Sequence, residues 1–138
     1  MNTRFSSLVS LKKNKMEQSE RLVQSANTNL NTASSQLQAS YNSLAEVESP
    51  QHGTISKFLA SRTLLSTARV TIKRHQEWVE FTRKQLHLAR EKLKSDMMEY
   101  EKFKYLELEE IKKILVKQKR QEAKDLDEVA LMTYSRQQ

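Results

Sequence analysis

His52, His75 and His87, the acidic pair Glu109-Glu110 and the group Asp125, Asp127 and Glu128 are the residues of this chain whose types could hold a metal ion or move a proton. Their spacing argues against both roles. Zinc-binding helices set two imidazoles four residues apart on one face, whereas His75 and His87 are twelve apart. Acidic pairs on polar helices face solvent rather than share a proton, and a pocket with converging polar groups is missing from the pattern. The chain has no cysteine, which removes thiolate ligands and disulfides and fits a reducing compartment. A single glycine excludes a phosphate-cradling glycine-rich loop. The reading is therefore a non-enzyme with no metal and no cofactor.

Charge offers a different chemistry. The formal net charge is +7 over 138 residues. Most of it comes from Arg62, Arg69, Lys73, Arg74, Arg83, Lys84, Arg90, Lys92 and Lys94, and again from Lys112, Lys113, Lys117, Lys119, Arg120 and Lys124. A nucleic-acid or acidic-membrane surface is one reading. Against it, Glu77, Glu80, Glu91, Glu101 and Glu122 interleave with the cations and no aromatic platform accompanies them, as on a solvated helix face. A basic helix could equally enter a cavity lined by carboxylates, where long-range attraction speeds and orients insertion.

These residues sit on elements that the rest of the sequence dictates. Pro50 and Gly53 are the only proline and glycine, and both flanks are rich in residues that favour or tolerate helix. The pattern predicts one all-α domain over 1–138: a helix over 5–47, a turn over 48–54 and a second helix over 55–134. With 37% hydrophobic and 30% charged residues, the chain can fill the narrow seam of a coiled coil but not a thick core. Along the first arm Val9, Met16, Val23, Leu30, Leu37 and Leu44 recur every seven residues, with Lys12, Ser19, Ala26, Ala33, Ser40 and Val47 as companions. Along the second arm Phe58, Leu65, Ile72, Val79, Leu86, Leu93 and Tyr100 do the same, opened by a cap at Thr54 or Ser56. After Tyr100 the stripe is expected to move by one residue to Leu108 and Leu115, with Ile111 between.

The fold class is thus two long helices in an antiparallel coiled-coil hairpin, the second longer and overhanging. At ~1.5 Å per residue the arms would extend about 65 and 120 Å, leaving roughly 35 residues of the second helix past the start of the first. Leu106, Leu108, Ile111, Ile114, Leu115, Leu126, Val129 and Leu131 in that stretch imply a partner surface. No apolar run approaches the ~20 residues of a membrane span, and Met1 to Phe5 lack a signal-peptide apolar block, so a cytoplasmic location is expected.

The ends of the chain carry a family resemblance. The opening Phe5-Ser-Ser-Leu8-Val9-Ser-Leu11-Lys12-Lys13, the unequal hairpin and the closing Lys124-Asp-Leu126-Asp127-Glu128-Val-Ala130 resemble the FliJ family of the bacterial flagellar type III export apparatus. The resemblance implies a stalk-like activator of protein transport. Its paired ends would enter the pore of the export ATPase hexamer (FliI-like) and couple it to the export gate protein (FlhA-like), with export chaperones as further partners. It implies a place at the cytoplasmic face of the inner membrane, peripherally through the gate. Ring contacts would then fall among Lys117, Lys119, Arg120, Glu122, Lys124, Asp125, Leu126, Asp127, Glu128 and Val129, supported by Phe5 and Leu8. Gate contacts would fall on Leu64, Ala68, Thr71 and His75.

Periodicity places Ala68 and His75 on the seam instead, where a polar residue can fix register, so both roles stay open for His75. Trp78, beside Val79, is either a cover for the seam or a binding anchor. A virulence-type injectisome stalk has the same architecture. Two other classes compete with the stalk: a self-associating scaffold or chaperone, and a basic coiled coil on nucleic acid. The last is separable by gel shift. No nucleic-acid partner is expected; the competing reading predicts a complex in a gel shift at low salt that weakens steeply at a second, higher salt concentration.

Overall fold

The computed structural model describes residues 2–47 and 51–137. They form two helices, α1 (Ser6–Ala45) and α2 (Ile55–Gln137), packed against each other as a helical hairpin, with no strand among the described residues. Glu48, Ser49 and Pro50, part of the expected turn, lie outside the described residues.

Local chemistry sets the helix ends. Before α1, the Thr3 hydroxyl accepts from the Phe5 N–H at 3.1 Å while the Ser6 hydroxyl accepts from the Thr3 N–H at 2.8 Å. This reciprocal pair satisfies two backbone donors, a capping box with serine in the usual glutamate place. At the other end α1 tightens and stops, with the Val47 N–H bonding the Leu44 carbonyl three residues back at 3.2 Å. Thr54 opens α2, its carbonyl accepting from the N–H groups of Lys57 at 3.0 Å and Phe58 at 3.3 Å. Gly53 precedes it with φ +146°, and a Cβ there would meet Lys57 Cδ at 2.9 Å. The positive φ favours glycine at that position, whereas the Lys57 side chain could swing aside.

By contact the chain divides into two units, residues 17–94 and residues 1–16 with 95–138. In the first, the covered positions of α1 recur at Val23, Ala26, Leu30, Ala33, Leu37, Ser40 and Leu44, and those of α2 at Leu65, Ala68, Ile72, His75, Val79, Thr82, Leu86, Ala89 and Leu93. Ser19, Ala33, Ile72, Val79, Thr82 and Leu86 are the buried ones. The remainder are half-buried, as a two-helix seam demands. Thr82 is accommodated because its hydroxyl donates within its own helix, to the Trp78 and Val79 carbonyls at 3.0 Å.

Two expectations are corrected. Phe58, taken as the first residue of the α2 stripe, is 48% exposed, and all of 51–60 is exposed. Ser40 and Ser43 share a groove with Thr71 and Ala68, which sets Ala45 beside roughly Ser66, and the Gln76 amide donates to the Tyr41 hydroxyl at 2.6 Å. Helix α2 therefore begins several turns before helical α1 stands opposite it. The stripe also does not move after Tyr100. In the second unit α2 covers Tyr100, Phe103, Glu107, Glu110 and Ile114, the original spacing, with Leu106 and Ile111 also half-buried, while Leu108 and Leu115 are 51% and 44% exposed. Moving the face by one residue would turn it by about 100° and uncover Phe103 and Ile114. Retaining those two outweighs the cost of Glu107.

Leu86, 4% exposed, is the test of the seam. Leu86→Asp should destabilise the hairpin by at least about 3 kcal/mol, through lost burial and a charge against an apolar wall. Circular dichroism showing unchanged helicity and an unchanged melting temperature would contradict the pairing.

Candidate functional site

Three surfaces carry the side chains singled out in the sequence. The first is the C-terminal part of α2, within the unit of residues 1–16 and 95–138. Every residue from Leu115 to Gln137 is exposed, because α1 starts at Ser6 and its first turns cover α2 only as far as Ile114. Lys117, Lys119, Arg120, Glu122, Lys124, Asp125, Leu126, Asp127, Glu128 and Val129 are all on this bare stretch. They do not converge on one face; they ring the helix. The basic half has a shallow groove of about 530 Å³ lined by Glu109, Lys112, Lys113, Val116, Lys117 and Arg120. The Gln121 amide donates to Asp125 Oδ1 at 3.1 Å and Lys112 pairs with Glu109 at 3.4 Å. Both are contacts along the helix that leave the face open.

Next to it the start of α1 is held by charge. Lys12 occupies a seam position, its Nζ 3.7 Å from Glu99 Oε2 and 5.5 Å from the Phe103 ring centre. Arg4 reaches Glu110 at 3.6 Å and lies 5.0 Å from the Phe5 ring centre. Phe5 is half-buried, whereas Leu8 is 39% exposed. The polar seam residue that the displaced stripe concealed is Glu107, whose Oε2 is buried without a hydrogen-bond partner. Carrying the seven-residue count on from Tyr100 would have found it.

The second surface lies between the helices in the unit of residues 17–94. Ala68, Thr71 and His75 line one groove of about 380 Å³ with Gln36, Ala39, Ser40 and Ser43. Leu64 is outside it and 58% exposed. His75 is half-buried at the rim, where it also lines a neighbouring groove of about 490 Å³ with Gln36, Arg74, Glu77, Trp78 and Phe81. Trp78 and Phe81 stack with ring centres 5.2 Å apart and an interplanar angle of 20°, each about half exposed. Phe81 escaped the sequence reading because it lies off the seam; its i, i+3 spacing from Trp78 was the available signal. Beside the stack, Glu80 and Arg83 form an ion pair along the helix.

The third set, the isolated histidines and acidic groups, assembles no metal cluster among the described residues. Over its whole length, residues 1–138, the sequence matches the family described as flagellar FliJ protein. The chain belongs to that family. Membership makes it a coiled-coil protein associated with flagellar type III export, in a family of non-catalytic export components. No curated protein and no solved structure matches the chain significantly. Among the described residues no helix is long and apolar enough to cross a membrane.

Glu107 gives a prediction about what holds the start of α1 to α2. Glu107→Leu should raise stability by about 1 kcal/mol, since it replaces an unpaired buried oxygen by an apolar side chain. A lower melting temperature for the variant would show that the carboxylate contributes to the seam.

Proposed function

We propose that this protein is the stalk of the flagellar export ATPase: it inserts into the ATPase ring, activates it and couples it to the export gate. The observation that supports the reading is the bare C-terminal stretch of α2. A helix with Leu126 69% exposed and Val129 59% exposed presents apolar docking points within and beside an acidic band, Asp125 to Glu128, that follows a basic band from Lys112 to Arg120. Inside a ring lined by charged side chains such bands would steer entry, and the leucine and valine would be buried on arrival. The contact set is Lys117 through Val129 as named above, with Phe5 and Leu8 from the other end.

The gate reading uses the groove of Ala68, Thr71 and His75, with Leu64 one turn away and the Trp78–Phe81 stack beside it. Exposed aromatics next to an interhelical groove are the side chains that anchor protein contacts. The coupling would then draw on both units: the ring holds one and the gate contacts the other. Export chaperones are further partners on the same reading, and membrane association is peripheral, through the gate. No residue takes part in bond making.

Purified flagellar export ATPase provides the test. Leu126→Asp with Val129→Asp should reduce stimulation of ATP turnover at least tenfold while leaving helicity unchanged, because both side chains are beyond the seam. Full stimulation by the double variant would reject this end as the plug.

A further inference from the structure

The stripe expected to continue the seam at Leu108 and Leu115 exists, but on another face. Beyond Glu101, α2 repeats every seven residues through Tyr105, Lys112, Lys119, Leu126 and Thr133, and in step with them through Leu108, Leu115, Glu122 and Val129. Every one of these residues is exposed. They occupy the face turned away from the Tyr100, Phe103, Glu107 and Ile114 positions that α1 covers, so a single helix carries two coiled-coil seams and uses one.

Charge says what fits the second. Residues 112–120 hold Lys112, Lys113, Lys117, Lys119 and Arg120 and no carboxylate, whereas residues 121–129 hold Glu122, Asp125, Asp127 and Glu128 against Lys124 alone. A helix with one basic and one acidic half is complementary to itself in the antiparallel direction. The two-fold axis that opposes the halves passes between Arg120 and Gln121. The same axis brings the stripe into heptad register: Leu115 meets Leu126 of the partner subunit, Lys119 meets Glu122 of the partner subunit, and the Tyr105 ring meets Arg136 of the partner subunit. In this register Lys112 also meets Val129 of the partner subunit and Leu108 meets Thr133 of the partner subunit, so the paired Leu115–Leu126 and Lys119–Glu122 contacts carry the selection.

We propose that this face binds a second copy of the chain, in an antiparallel pair centred between Arg120 and Gln121. The pair covers Lys119, Glu122, Leu126 and Val129. On the stalk reading given above, and resting on it, the dimer is a resting form whose plug is masked until a ring displaces the partner copy.

Sedimentation of the full chain at low salt tests the pairing without any ATPase. The wild type should dimerise at micromolar concentration, and Lys119→Glu or Glu122→Lys alone should weaken dimerisation at least tenfold by opposing like charges twice per dimer. The combined Lys119→Glu, Glu122→Lys variant should recover to within about threefold. Circular dichroism should show all three variants as helical as the wild type, since both positions are exposed. A wild type that stays monomeric to about 200 μM overturns the proposal. So does a dimer indifferent to the single reversals, or one that the combined swap fails to restore. The masking consequence is separate and is read with Arg136→Glu, which lies outside the ring contact set: if that variant dimerises less yet stimulates the ATPase no better at limiting concentration, the dimer stands and its regulatory role falls.

Discussion

Everything in this molecule depends on a seam one side chain deep. Two helices related by a seven-residue repeat can cover only the positions that face each other, so among the described residues six side chains, Ser19, Ala33, Ile72, Val79, Thr82 and Leu86, are buried and the others are half or fully exposed. Such a seam has no second layer to repair an error. Its tolerance for polar residues must come from local solutions. Thr82 turns its hydroxyl onto its own helix, and Lys12 spans to Glu99 while resting over Phe103. Glu107 has no such solution for one oxygen. The seam holds register there because Phe103 and Ile114 on either side of it are covered only in that register.

The same thinness explains what could be read in advance. A chain with one proline, one glycine and two runs of heptad spacing has few folds open to it, and the helical hairpin was legible from those features. Where the reading failed, it followed hydrophobicity instead of geometry. Leu108 and Leu115 are more apolar than Glu107, and a residue-by-residue search for the greasiest stripe moves to them. The helix keeps the face that α1 already occupies, because a change of face costs more than one carboxylate. Phe58 failed for a different reason: a heptad position needs a partner, and α1 ends at Ala45. Spacing along one helix does not reveal where the other stops.

The candidate sites divide along the same line. Leu64, Ala68, Thr71 and His75 could be named from a family resemblance, but the groove that Ala68, Thr71 and His75 share is made by Gln36, Ala39, Ser40 and Ser43 from α1, which no count along α2 supplies. His75 is at once a seam residue and a rim residue, half-buried between two grooves. The seam and gate readings of the sequence are therefore not exclusive. Phe81 was invisible to a heptad count and becomes evident once its ring is stacked on Trp78.

A helix that outlasts its intramolecular partner must meet its remaining apolar groups with something else, and the way its charges are ordered decides what. Scattered charges would leave the stretch after Leu115 a solvated tail, with Leu126 and Val129 as incidental exposures of the kind every surface has. Segregation into a basic half and an acidic half gives the stretch a direction. On the two proposals above, a ring would meet this order of charges as a gradient along a pore and a second copy would meet it as its own complement. The two uses compete for the same residues, and a segment that can be covered only once at a time has, in that competition, the physical basis of a switch.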